Sequence, residues 1–369
     1  MIIVKLTLHV SILYSELKGR HIFMLLSRKA LQRILGVLWL IDGLLQLQPQ
    51  MFTMNMVNGI MKPMLQGQPG LVEPSLQFIV TQTTLHLTAV NLLIAVVQIL
   101  LGLSFLLFPV RWVKWAVFAS IVWAFIVWYG GEGMSMLLTR QASILTGAPG
   151  AVLLYPLLGL AVYPRKQSDA DAKGATRKTS DDGLLSRKYL RWVLAGFWCF
   201  AALLQLQPFW WQQSQISQAI GAMVGQGGLN SVVVDPVLQQ ISNATANIEV
   251  PLNIALIVVF LAIGIGLAVV KDEHVRPFLI ASIVASVVFW YFSEAFGMIL
   301  TGMATDFNSG LLVVIMALAC WPKVQSLRAA RARVARDLRE SEESGTAQRA
   351  WNDYFEMDGE ECISPSAYL

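Results

Sequence analysis

The sequence predicts an all-α membrane protein: eight transmembrane helices arranged as two tandem, parallel four-helix repeats. Three observations lead there. Of 369 residues, 56% are hydrophobic and only 14% charged, where soluble domains carry about 25% charged residues. The charge is also segregated, the net +4 coming mostly from stretches before Leu31, between Pro164 and Arg191, and after Trp321. Finally, the chain matches itself, in order, across its two halves.

Apolar runs lie at about 31–47, 87–108, 112–136 and 148–163, and again at 190–206, 251–270, 275–300 and 311–321. A helix needs about 20 residues to cross ~30 Å of hydrocarbon. The second, third, sixth and seventh runs meet that length. The fourth and eighth are short, and the eighth spans only if its helix starts near Asp306, a suitable N-cap. Around these runs the chain divides into a cytoplasmic N-terminal segment (1–30), a first repeat (31–164), a flexible cytoplasmic linker (165–189), a second repeat (190–322) and a tail (323–369). The tail reads as a basic surface helix followed by an acidic stretch. For residues 1–23 two readings stand, an over-extended start with Met24 as the true first residue, or an interfacial helix.

Orientation follows from lysine and arginine. Arg28, Lys29 and Arg33 precede the first run, Arg111 and Lys114 separate the second and third, and Arg165, Lys166, Lys173, Arg177 and Lys178 follow the fourth. Lys271 and Arg276 separate the sixth and seventh. The other side holds only Lys62 and Arg140, and the loop 208–250 holds no basic residue. The positive-inside rule then places the chain in the cell membrane, multi-pass, with both termini cytoplasmic.

The internal match is specific. Trp39 and the following Leu-Gln-Leu-Gln-Pro49 recur as Trp198 and Leu-Gln-Leu-Gln-Pro208. Val72-Glu-Pro-Ser-Leu-Gln77 recurs as Val234-Asp-Pro-Val-Leu-Gln239, Asn91 as Asn253, and Trp128-Tyr-Gly-Gly-Glu132 as Trp290-Tyr-Phe-Ser-Glu294. Tyr-Pro164 returns as Trp-Pro322. An even number of helices per copy inserts both copies alike, so the pseudo-two-fold runs along the membrane normal.

The second copy serves as a control on candidate sites. Met51, Met54, Met56, Met61 and Met64 invite a copper(I) reading, since thioethers select that ion. Their counterparts are Trp210, Gln213, Gln215, Ile220 and Met223, so the shared feature is an amphipathic stripe and not sulfur. The four histidines are scattered and the cysteines form no CxxC pair, so no metal site, cofactor or disulfide framework is implied. No nucleic-acid motif is present.

Ionisable groups in apolar runs are functional candidates by default. Glu132 and Glu294 stand in both copies, each expected one turn after Trp128 or Trp290 and one turn before Met136 or Met298 on one helical face. Two readings are open: a ligand or proton site, or a boundary carboxylate in headgroup water bonding neighbouring amides. The tryptophans fit an aromatic belt. Asp42, expected near the membrane midplane, has Ala201 as counterpart, so its role belongs to the first copy alone and reads as a substrate-contacting or proton-linked acid. Gln46 and Gln205, one in each copy, and Asn91 and Asn253 read as interhelical hydrogen-bond glue.

At Arg33-Ile-Leu-Gly36, Asp42-Gly43, Gly67-Gln-Pro69 and Gly102-Leu, the first half resembles the DoxX/DoxD-like family of small four-helix membrane proteins, some associated with quinone-linked thiosulfate or thiol oxidation. The whole chain is similar to a bacterial family of duplicated polytopic membrane proteins with Trp-x3-Glu-Gly/Ala and Leu-Thr-Gly-type motifs. The acid typical of the second DoxX helix is replaced here at or near Asn91, so the resemblance carries over no catalytic residue. The expectation is non-enzymatic handling of a small solute, proton or lipid at the outer face. The alternatives are a quinone- or thiol-linked redox subunit, or a structural or assembly partner. Its partners would be the lipid bilayer and either a membrane subunit or a second copy.

Overall fold

The chain is described here by a computed structural model covering residues 26–164 and 183–322. The expectations for 1–25, for most of the linker and for the tail lie outside the described residues. Every regular element among those described is helical.

The first helix, α1 (Arg28–Leu45), starts where Ser27 Oγ accepts a hydrogen bond from Ala30 N at 3.1 Å, satisfying one of the amides a helix start leaves open. Leu31, Leu35, Leu38, Trp39 and Asp42 recur at helical spacing and are all buried. Pro49 ends the element by excluding a further helical turn, and 49–65 continues as two short 3-10 turns, Pro49–Phe52 and Pro63–Leu65, either side of a π-helical stretch, Met56–Met61. Met51, Met56, Met61 and Met64 are buried there and Met54 is exposed, so four of these methionines serve as packing. Next come α2 (Glu73–Leu85), α3 (Leu87–Leu107), α4 (Val110–Gly130) and the nine-residue α5 (Leu154–Val162).

The second half runs through α6 (Arg187–Gln205), α7 (Gln215–Gly221), α8 (Asn230–Val233), α9 (Asp235–Thr245), α10 (Glu249–Val269), α11 (Arg276–Phe292) and α12 (Asn308–Ala319). Among the described residues three helices are long and apolar enough to cross a membrane: Leu87–Leu107, Arg111–Gly130 and Glu249–Val269. A fourth crossing arises if α11 and the turn Ala295–Thr301, bent by 41°, form one span. At 1.5 Å per residue the 21 residues of α3 cover about 31 Å. By contrast α5 and α12 are too short to span alone.

Sequence-matched residues make matching contacts. Trp39 Nε1 donates to Ser120 Oγ at 3.2 Å, and Trp198 Nε1 to Ser282 Oγ at 2.8 Å. Asn91 Nδ2 donates to Gln46 O at 2.8 Å, and Asn253 Nδ2 to Gln205 O at 3.1 Å. Helices α1 and α3 meet where a β-carbon on Gly102 would lie 2.8 Å from Gly36 O and 2.6 Å from Leu40 N. In the second half a β-carbon on Gly264 would lie 3.0 Å from both Ala195 O and Cys199 N. Small residues let the two backbones approach, which is how apolar helices associate without a hydrophobic driving force.

The halves also interlock. Gln205 Nε2 donates to Ser143 Oγ at 2.6 Å, while Gln207 Nε2 and Trp210 Nε1 both donate to Ala142 O, at 2.9 and 3.1 Å. The described residues as far as Trp321 accordingly belong to one compact unit and not to a pair of them.

Two differences from the sequence reading concern the helices before the glutamates. The apolar runs predict unbroken helices to Met136 and Leu300, but α4 stops at Gly130 and α11 at Phe292. Beyond them Met134, Ser135 and Met136 take φ of 55°, 50° and 60°, and Ala295, Phe296, Gly297 and Met298 take 44°, 55°, 70° and 55°. Left-handed backbone costs roughly 1–2 kcal/mol per non-glycine residue, so hydropathy alone could not foretell it. Met136 and Met298 therefore do not share a helical face with the glutamates.

Candidate functional site

Each glutamate caps the short helix that follows it. Glu294 Oε1 accepts from Ser309 N at 3.1 Å and from the Ser309 hydroxyl, and its Oε2 accepts from Gly310 N at 2.9 Å. These are the open amides at the start of α12, where the helix dipole favours an anion. Glu132 Oε1 accepts from Val152 N at 3.1 Å, just before α5, and its Oε2 accepts from Ser135 Oγ at 3.1 Å. Gly150 must be glycine here, since a β-carbon would sit 2.4 Å from Glu132 Oε2.

The tryptophans tie down the same junctions. Trp128 Nε1 donates to Pro149 O at 2.8 Å and Trp290 Nε1 to Phe307 O at 2.7 Å. Both indoles thus bond protein carbonyls beside the helix starts instead of reaching for headgroups. Of the two readings of the glutamates, the amide-bonding geometry is present, but for Glu294 in a buried setting and not in headgroup water.

Asp42, read from the sequence as a substrate-contacting or proton-linked acid, has a protein partner on one oxygen. Tyr155 Oη donates to its Oδ2 at 2.5 Å, across α1 and α5. Among the described residues its Oδ1 has no hydrogen-bond partner, nor do Gln46 Oε1 and Gln98 Oε1, although all three residues are at least nine-tenths buried. Leaving a buried acceptor without a donor costs about 1–3 kcal/mol, and other buried oxygens, among them Asn91 Oδ1, Gln205 Oε1 and Asn253 Oδ1, are in the same position.

Asp42, Gln46 and Gln98 line one cavity of about 620 Å³ in the first half. Glu132, Tyr155 and Trp39 line it too, and Thr305 and Asp306 from the second half's connector reach its wall. Asp306 is itself held, its Oδ1 accepting from Asn308 N at 2.5 Å and its Oδ2 from Thr305 Oγ1 at 3.0 Å. It lies within electrostatic reach of both Asp42 and Glu132. Leu93, Phe125 and Ile126 belong to the same lining yet are more than half exposed, so the cavity opens sideways between α3 and α4.

Of the residues singled out from sequence, Asp42, Gln46 and Glu132 come together in this cavity. Glu294, Trp290, Trp128 and Gln205 lie outside its lining. Gln98, Tyr155 and Asp306 complete the site. Gln98 was legible as a polar residue in mid-run, and Asp306 had been read only as a cap. Nothing in the local sequence marks Tyr155. Among the described residues no three His, Cys, Asp or Glu side chains lie close enough to hold a metal ion.

Compared with family models, curated proteins and solved structures, the chain matches none.

Proposed function

We propose that the protein is a polytopic membrane protein whose first half binds a small, largely apolar molecule without transforming it chemically. The cavity carries this reading. It is large enough for a small organic molecule, apolar for most of its wall, and supplied with a few convergent polar groups. Its side opening faces the direction in which α3 and α4 present exposed leucine, isoleucine and phenylalanine, the surface expected of helices in lipid.

In the same reading the chain is a parallel duplication of four-helix units, crosses the cell membrane eight times and keeps both termini in the cytoplasm. Support comes from the matched tryptophan–serine, asparagine–carbonyl and glycine contacts, and from the lysine and arginine distribution. The short helices α5 and α12 complete their crossings by including the connectors capped by Glu132 and Glu294. In such a fold irregular backbone at membrane depth is tolerated where it is buried in protein or lines a cavity, and the left-handed turns meet that condition.

The test is photolabelling with a neutral alkyl alcohol bearing a diazirine, using the detergent-purified full chain. Saturable labelling should map to peptides of α3 and α4 in the first half and spare α10 and α11. Labelling spread evenly over both halves, or never saturating, would remove the case for a binding cavity.

A further inference from the structure

The cavity has an internal control in the matched positions of the second half. Asp42 corresponds to Ala201. In the register that pairs Asn91 with Asn253, Gln98 corresponds to Phe260. In the register that pairs Tyr163-Pro164 with Trp321-Pro322, Tyr155 corresponds to Val313. The Trp128–Trp290 register sets Val127 against Phe289 and Gly130 against Phe292. Every one of these changes removes a polar group or adds bulk. The result is an aromatic plug, with Phe260 ring centroids 5.4 Å from Trp198 and 5.2 Å from Phe289. The same scaffold is thus open and acid-lined in one half and filled in the other. Since the plugged arrangement shows that the fold tolerates an apolar filling, the buried acids and amides of the first half are not a requirement of packing.

The chemistry of the lining is one-sided. Asp42, Glu132 and Asp306 contribute three carboxyl groups, and among the described residues no Lys, Arg or His lines the cavity. Among the described residues, the unpartnered oxygens of Asp42 and Gln98 are acceptors with no counterpart in the second half, whereas Gln46 Oε1 is matched by an equally unpartnered Gln205 Oε1; the two unmatched acceptors suit a donor. Trp39, Trp123, Tyr129 and Tyr155 add ring faces, which attract cations. One lining donor, Trp123 Nε1, is also unpartnered, leaving room for a single acceptor oxygen on the ligand. A bare metal ion fits poorly, because the carboxylates are not clustered at ligating distance. The remaining wall is apolar and reaches lipid-facing side chains.

We infer that the cavity of the first half is a site for a lipophilic organic cation, a molecule with an apolar body and a protonated nitrogen that enters from the bilayer and sets its nitrogen against Asp42. Glu132 and Asp306 supply the surrounding negative field, and Tyr155 engages Oδ2 of Asp42, which leaves Oδ1 as the oxygen that can take the ligand's proton. This rests on the binding reading above and narrows it to one ligand class.

The experiment compares two photoactivatable probes of equal chain length, an alkylamine and the matching alkyl alcohol, each titrated on the full chain in detergent. The amine should label the first-half cavity at about tenfold lower concentration than the alcohol, the difference between a charge-assisted and a neutral hydrogen bond. Asp42→Asn should abolish that preference while leaving alcohol labelling within about twofold, since the amide keeps the shape and loses the charge. Should Asp42→Asn fail to purify as folded protein, Asp306→Asn tests the same field from the other half and should reduce the preference by at least a part. Equal labelling by amine and alcohol in the wild type overturns the cation inference and leaves the binding reading standing. Competition by sodium ion alone, at concentrations where the amine is displaced and the alcohol is not, would also overturn it in favour of an inorganic cation. Saturable labelling by neither probe removes both.

Discussion

The capping geometry makes the two matched glutamates unequal, and Glu→Gln substitution should expose that. At Glu294 both carboxylate oxygens receive backbone N–H donors, from Ser309 and Gly310. A glutamine offers one oxygen and one NH2, so whichever way it turns, a donor faces a donor. Losing one charge-assisted bond costs about 1.5–3 kcal/mol, and removing an anion from a helix start adds about 0.3–1 kcal/mol. Glu294→Gln should therefore destabilise by roughly 2–4 kcal/mol. Glu132 receives one backbone donor, Val152 N, and one hydroxyl, Ser135 Oγ. Glutamine there can keep its oxygen on Val152 and offer its NH2 to the hydroxyl, so Glu132→Gln should cost about 1 kcal/mol. Denaturant titration of both variants and the wild type in one detergent, followed by tryptophan fluorescence, measures the difference. Equal losses, or a larger loss at Glu132, would refute the account of the caps.

Two further outcomes follow from the packing and the charge pattern. Gly102→Ala should lose about 1–3 kcal/mol by overpacking, because its new carbon would press on Leu40 N and Gly36 O at 2.6 and 2.8 Å. Gly264→Ala should lose less, since its nearest neighbour is the Cys199 sulfur at 2.6 Å, a side chain able to turn, with backbone no nearer than 3.0 Å. The same denaturant titration checks the order. Single cysteines at the exposed positions Gln66 and Ser231 should react with a membrane-impermeant maleimide added to intact cells, whereas cysteines at Ser168 and Ser326 should react only after lysis. Labelling of Ser168 from outside would reverse the orientation.

The helical class was legible because apolar runs and turn residues speak to it directly: Ser27 before α1, Pro49 and Pro208 after α1 and α6. The helices α2 and α9 are not apolar runs and so do not show in hydropathy, although Glu73-Pro and Asp235-Pro carry the start signal of an acid and a proline in the first turn. Hydropathy also ran α4 and α11 too far. It measures transfer into lipid and is blind to φ, so the left-handed turns after Gly131 and Ser293 left no trace in it. Asp42, Gln46 and Glu132 could be nominated because a polar residue in an apolar run is costly wherever it points. Their convergence could not be read, because it depends on Tyr155, more than a hundred residues away in sequence, and on Asp306 from the other half. Comparing the copies could have found Gln98 against Phe260 and Tyr155 against Val313, but only once the contacts showed that these positions face one space.

Ligand binding in the first half turns on an open, acid-lined cavity there and on an aromatic plug in its place in the second half. A high-resolution map of the protein in a lipid nanodisc, with the alkylamine probe added, tests this most directly. It should show non-protein density beside Asp42 and Gln98, bounded by Asp306, with Phe260 and Phe289 stacked on Trp198 and no density between them. A collapsed first cavity with Asp42 Oδ1 bonded to protein, or density in the second half instead, would contradict it.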